Sequence, residues 1–146
     1  MKNLFSFCSA TFFYISICFF AIGGCGRYSD QIQANLNKLK STKSCSGCDL
    51  TGVELVGFDL RNANLNGFAN LSRANLIGAD LSGADLTGAK LTDANLTGAK
   101  LTDANLTGAN LTGANLTGAN LTGANLTDAK LDGVILTDSQ DSMLLN

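Results

Sequence analysis

An all-β solenoid is the fold class this sequence predicts, and three observations predict it. Leucine stands at 50, 55, 60 and 65 and then at every fifth position from Leu71 to Leu136, eighteen units in all. Alanine precedes the leucine by two places in nearly every unit from Ala63 to Ala129, and Thr-Gly, Ser-Gly or Thr-Asp usually follows it. The body also lacks the means to build an ordinary core. Six of the eight phenylalanines fall in the first twenty residues, leaving Tyr28, Phe58 and Phe68 as the aromatics after Gly26.

A period of five fits no helix, because 5 is not near a multiple of 3.6, and a glycine in most units would cost about 1 kcal/mol each in a helix interior. Collagen needs glycine at every third position and abundant proline, and the chain has no proline. A three-residue extended side, Ala-Asn-Leu, fits. Its first and third side chains point inward and its middle one outward, and a Thr-Gly corner then turns the chain. Each unit is one side of a coil, and such regular self-similarity marks a repeat architecture.

From the start of the chain, residues 1–24 read as a signal peptide. Lys2 precedes an apolar run from Leu4 to Ile22 with small polar interruptions, the order of a charged n-region and a hydrophobic h-region. The run ends in Ile22-Gly23-Gly24-Cys25, which resembles a bacterial lipobox. That resemblance implies cleavage before Cys25, a diacylated Cys25 as mature N-terminus, and an exported protein held on a membrane, periplasmic or at the outer surface. Two acyl chains together hold a soluble domain there, at about 0.8 kcal/mol per buried CH₂. Gly26, in place of an aspartate after the cysteine, fits sorting to the outer of two membranes.

Residues 25–44 form the lipidated N-terminus, a spacer and a short helix. Asp30 with Gln33 resembles a capping box, and Ile32, Leu36 and Leu39 fall at i, i+4 and i+7, which predicts a helix over about 30–41. With Arg27, Lys38, Lys40 and Lys43 nearby, the helix either hugs a membrane or covers the open end of the solenoid. A repeat stack needs such a cap, and the cap is the preferred reading.

Residues 45–138 are the repeat body and 139–146 a tail or cap. From Ala74-Asn75-Leu76 through Ala129-Lys130-Leu131 the units follow A(D/N)LXX and resemble the pentapeptide-repeat family. The resemblance implies a right-handed quadrilateral β-helix with four units per coil, about four and a half coils here, behind a short N-terminal capping helix. The inward leucines would be Leu76, Leu81, Leu86, Leu91, Leu96, Leu101, Leu106, Leu111, Leu116, Leu121, Leu126 and Leu131. The six-residue step from Leu65 to Leu71, around Asn66-Gly67-Phe68, predicts a bulge with Phe68 either tucked beneath it or displayed. Outward columns follow from the twenty-residue coil: Asn75, Asn95 and Asn115; Asn70, Lys90, Asn110 and Lys130; Asp80 beside Lys100; and Arg73 beside Asp93.

Cys8 and Cys18 lie in the segment expected to be removed. Cys45 takes a leucine position and Cys48 an alanine position, so both face the first coil. A redox CxxC opens a helix, and none is expected there. Zinc needs about four ligands, and the chain has no histidine. A structural disulfide or two buried thiols remain, with no metal and no cofactor. Family members often begin their repeats with a similar cysteine pair, which supports a structural role.

A formal net charge of −2 without a basic cluster argues against nucleic acid as a partner. Without histidine, and without a nucleophile–base pair, no catalytic residue is assigned. Threonine on all four sides singles out no face for ice. The reading is a non-enzymatic, membrane-tethered scaffold in the cell envelope that either contacts an unknown protein partner or has a mainly structural role. The alternative, protection of gyrase by imitating DNA, requires the N-terminus not to be an export signal, and eleven acids against five bases from Cys45 onward make only a mildly acidic body. Val134, Ile135, Met143, Leu144 and Leu145 enrich the C-terminal end in apolar residues, for a homodimer through the last coil or for a cap.

Overall fold

One helix and a stack of five-residue sides make up the computed structural model, which describes residues 28–137. The signal segment, Cys25, and the tail residues Met143, Leu144 and Leu145 lie outside the described residues. The helix, α1, spans Asp30–Thr42. Its N-cap is Ser29, whose hydroxyl accepts from the Ile32 N–H at 3.3 Å. The cap thus sits one residue earlier than the Asp30–Gln33 pattern indicates, and Asp30 instead lies in the first turn, where its charge suits the positive end of the helix dipole. Lys43 ends the helix in the left-handed region, its N–H returning to the Leu39 carbonyl at 2.8 Å. Leu36 and Leu39 are buried in the same cluster as the leucines of the coils, and Ile32 packs against it.

After α1 the chain winds with one parallel bridge per side, centred on the middle residue of each unit. Asn75 bridges Asn95, and Asn95 bridges Asn115. The bridges join residues twenty apart, so four sides complete a coil. Four columns result: Asp49, Asn70, Lys90, Asn110 and Lys130; Glu54, Asn75, Asn95, Asn115 and Ile135; Asp59, Asp80, Lys100 and Asn120; and Ser44, Asn64, Asp85, Asn105 and Asn125. They are the first to fourth sides below. Each side is held by its single central bridge because the corners occupy the remaining positions.

The unit Ala94–Gly98 shows why five residues suffice. Ala94 N–H donates to Leu91 O at 3.0 Å, closing a turn, and Asn95 N–H donates to Ala74 O in the preceding coil at 2.9 Å. Leu96 and Gly98 donate to Asn115 O and Thr117 O in the following coil, at 2.8 and 2.9 Å. The Thr97 N–H has no carbonyl partner, and the Asn95 side chain supplies the acceptor: Oδ1 receives Thr97 N–H at 3.1 Å and its hydroxyl at 2.6 Å. All five amide hydrogens are thereby used, as buried backbone demands. Corners turn on a residue of positive φ, such as Gly98 at 65° or Asp103 at 55°, which glycine and, less readily, aspartate adopt.

The inserted residue shifts the ladder. Ser44 bridges Asn64, twenty residues on, but Asp49, Glu54, Asp59 and Asn64 bridge partners twenty-one residues on, and the spacing returns to twenty at Asn70. The extra residue lies in the turn Asn66–Ala69, closed by Ala69 N–H to Asn66 O, where Gly67 and Phe68 have φ of 63° and 66°. Positive φ at both central residues is the signature of a type I′ turn. Of the two fates open to Phe68, the structure shows display: the side chain is 71% exposed, and its ring lies where a methyl group on Gly88 would touch it.

Two columns fill the interior, alanine and leucine, buried from Leu50 to Leu116. Val53 takes an alanine position in the first coil and is fully buried, whereas Phe58 is only partly so, with Lys40 Nζ 5.0 Å from its ring centroid. Leu121 is nearly buried, at 6% exposure, but Leu126 and Leu131 are only partly covered, as are Ala124, Ala129, Val134 and Leu136. No described coil stacks on the last two predicted core leucines, Leu126 and Leu131.

At the other end the first coil is met by the N-terminal segment. Asn35 Nδ2 donates to Asp49 O at 2.9 Å on the first side, and Glu54 N–H donates to Tyr28 Oη at 3.0 Å on the second. Lys43 Nζ reaches Asp59 Oδ1 at 3.1 Å on the third, and Asn64 N–H donates to Lys43 O at 2.8 Å on the fourth. Cys45 and Cys48 lie buried beneath α1, their sulfurs at the bonding distance of 2.07 Å and their Cα atoms 5.3 Å apart.

Two outcomes are expected in urea titrations. Leu96→Ala destabilises by about 2–5 kcal/mol, the usual cost of emptying a packed leucine site, while Leu131→Ala costs much less; equal losses would mean the last coil is as tightly packed as the middle. Asn95→Ala removes the acceptor of Thr97 N–H and costs about 0.5–1.5 kcal/mol. Lys90→Asn supplies the acceptor that Thr92 lacks and shifts stability the opposite way; a loss at both positions would reject the role assigned to the middle residue.

Candidate functional site

The outward face of the coils carries regular columns of polar side chains, and these are engaged with one another. Asn70 Nδ2 donates to Thr51 Oγ1 at 2.8 Å, Asn75 Nδ2 to Glu54 Oε2 at 2.9 Å, and Asn105 Nδ2 to Thr87 Oγ1 at 2.9 Å, each to the coil before. These bonds give the outward Asn and Asp residues a structural task that outward position alone does not reveal. The signal was present, in the recurrence of Asn or Asp two residues before Ser or Thr, the spacing of an Asx-type turn.

Charge concentrates on the third side. Arg61 grips Asp59 with Nε to Oδ1 and Nη2 to Oδ2, both at 2.9 Å, while Lys43 adds its ion pair from the helix end. The Arg61 bonds foremost, then Lys43, hold the Asp59 carboxyl well below the usual range. One coil on, Lys100 pairs with Asp80 at 3.4 Å, and the Ser82 hydroxyl, bonded to the same carboxylate at 2.7 Å, is the main cause of its lowered pKa. On the fourth side Asp85 is lowered chiefly by the Thr87 hydroxyl, with Asn66 contributing. Exposed pairs of this kind contribute little to stability.

Arg73 and Asp93, adjacent in the expected columns, form no ion pair among the described residues. Asp93 has positive φ and leans toward the next coil, where its carboxylate occupies the space a methyl on Gly113 would need. Asn62 over Gly83 and Asp103 over Gly123 repeat the arrangement. At these three corners an Asn or Asp side chain fills the space over a glycine one coil later.

The apolar surface is small and divided. Val56 and Ile77 stack on the corner between the second and third sides, joined by Gly57 N–H to Ile77 O at 2.8 Å. Phe68 stands on the corner between the fourth and first, and Ile135 on the second side of the last described coil. Among the described residues no three of His, Cys, Asp and Glu converge on a metal position, no buried side-chain nitrogen or oxygen lacks a hydrogen-bond partner, and no helix is long and apolar enough to cross a membrane. The arrangement is suited to contact by shape and hydrogen bonding along a rod.

Comparison with known proteins gives a consistent result. A family model described as pentapeptide repeats matches residues 44–67, 69–108 and 99–138, and the one position it passes over is the inserted Phe68. The chain is similar to the structure of a pentapeptide repeat protein from the cyanobacterium Cyanothece 51142, at 35% identity, with 73% of this chain and 96% of that one covered and a TM-score of 0.50. It is similar also to one from Nostoc Pcc 7120, at 33% identity, 71% and 94% coverage and a TM-score of 0.54. A search of the curated proteins found no match.

Acid sensitivity follows from the carboxylates. Asp59, Asp80 and Asp85 have lowered folded-state pKa values, so their contribution is complete above the unfolded carboxylate value of about 4 and is lost as pH falls through the lower folded values. The thermal midpoint should stay level between about pH 7 and pH 5 and drop below about pH 4. The double variant Asp80→Asn, Asp85→Asn keeps both side-chain acceptors and should shallow that drop; an unchanged acid limb would clear these groups of responsibility.

Proposed function

The chain belongs to the pentapeptide-repeat family, and on that premise we propose that it is a non-enzymatic scaffold, exported and tethered to a membrane through a lipidated Cys25, which presents its rod to a protein partner in the cell envelope. The observation that carries the scaffold reading is the use of the polar residues themselves. Asx oxygens satisfy the backbone and third-side charges pair with each other, so the surface offers a shaped polar wall in place of reactive groups. The tether rests on the lipobox resemblance at Ile22-Gly23-Gly24-Cys25.

In this reading α1 serves as the cap of the first coil, with Cys45 and Cys48 oxidised beneath it, the state favoured outside the cytoplasm. The half-covered leucines of the last coil are the site of a homodimer or of closure by the tail. A DNA-like acidic stripe is poorly served by this surface, because Asp59 is bound by Arg61 and Lys43, and Asp80 by Lys100.

Metabolic palmitate labelling of the wild type and of Cys25→Ala, followed by membrane fractionation, tests the proposal. Label and membrane retention that disappear in Cys25→Ala are the expected result. An unlabelled protein in the soluble cytoplasmic fraction would overturn the tether and bring target mimicry forward.

A further inference from the structure

The inserted turn carries chemistry that the regular units suppress. Among all the asparagines of the sequence, only Asn66 is followed by glycine. Asparagine is one of the thermolabile residues, and its route of loss is intramolecular: the backbone nitrogen of the next residue attacks the side-chain amide carbon. The reaction needs that nitrogen free of other bonds and its residue small.

In the ladder both requirements fail. The asparagines of the sides are followed by leucine, whose side chain crowds the nitrogen, and as far as Leu116 the leucine N–H is committed to the next coil: Leu65 to Asp85 O, Leu71 to Lys90 O, Leu76 to Asn95 O, Leu96 to Asn115 O. Their own Oδ1 atoms are held by the residue two places on, as Asn95 is by Thr97. At the insert, Gly67 is exposed and its N–H donates to no acceptor among the described residues. Asn66 is half-buried, with its Nδ2 tied to Asp85 Oδ2 at 2.9 Å, and the bulge breaks the five-residue register there, so an altered backbone link at this corner interrupts no regular side.

We propose that Asn66-Gly67 is a self-modifying site at which the side-chain amide is converted to a carboxylate. The Gly67 nitrogen loses its proton to solvent base and bonds to Cγ of Asn66. The Cγ–Nδ2 bond breaks, and ammonia leaves with a proton taken from water. A five-membered imide results. Water then opens it at Cγ to give aspartate, or at the backbone carbonyl to give a β-linked isoaspartate, so the net change consumes one water and releases one ammonia without oxidation or reduction. The product replaces the Asn66–Asp85 hydrogen bond with two facing carboxylates, placing like charges between the first and second coils.

Trypsin tests this with an internal standard, because cleavage after Arg61 and Arg73 releases a fragment containing Asn62, Asn64, Asn66 and Asn70. The full folded chain is incubated at mildly alkaline pH, digested, and compared by chromatography and mass spectrometry with the free synthetic fragment treated alike. The expected result is exchange of amide for carboxylate at Asn66 alone, split between aspartate and isoaspartate, faster as pH rises, and absent in Asn66→Gln. An Asn66 that stays intact in the folded chain while the free fragment converts, or conversion no greater than at Asn64 and Asn70, overturns the proposal.

Discussion

The structure depends on a count of amide hydrogens. A five-residue unit has five, and the coil supplies five acceptors: one carbonyl in its own turn, one in the coil before, two in the coil after, and the Oδ1 of an Asn or Asp. Shorten the unit and a donor loses its place; lengthen it and a residue stands outside the scheme. Asn66-Gly67-Phe68 shows the second case, a type I′ turn with an aromatic side chain in the left-handed region and the Gly67 and Phe68 amides without an acceptor among the described residues. Hydrophobic burial contributes most of the driving force, through an interior of leucine and alanine columns with Val53, Cys45 and Cys48 added in the first coil.

Much of this was legible in the sequence because it depends on nearest neighbours. Leucine at every fifth residue and alanine two before it sufficed for the inward columns, and the i, i+4, i+7 pattern of Ile32, Leu36 and Leu39 marked the helix to within a residue. The illegible parts are those settled by competition between alternatives. Ser29 and Asp30 can each cap a helix, and only the observed chain direction selects Ser29. Phe68 could enter the core or leave it; two successive positive φ angles turn it out. Arg73 and Asp93 are stacked neighbours by arithmetic, yet the corner aims the Asp93 carboxylate at the next coil instead.

The surface was harder to read than the core for a related reason. Outward position suggested freedom, but the middle residue of each unit is half-engaged in holding the corner. The three lysines at such positions, Lys90, Lys100 and Lys130, give up that bond and gain a charge, and Lys100 uses it to reach Asp80 in the coil before. Departures from Asn or Asp in this column are therefore more informative than the column itself.

The ends of the stack are unlike. Tyr28, Asn35 and Lys43 meet the backbone and side chains of the first coil, while Leu126 and Leu131 remain half-covered at the far end. Interactions in such an array reach no further than the adjacent coil. A duplication or deletion of twenty residues within the near-identical units between Leu91 and Leu126 would thus preserve both termini and every corner pairing of Asx over glycine that it does not cut. Twenty residues are therefore the unit in which the rod's length can be altered, while the contacts of Tyr28, Asn35 and Lys43 with the first coil stay in place.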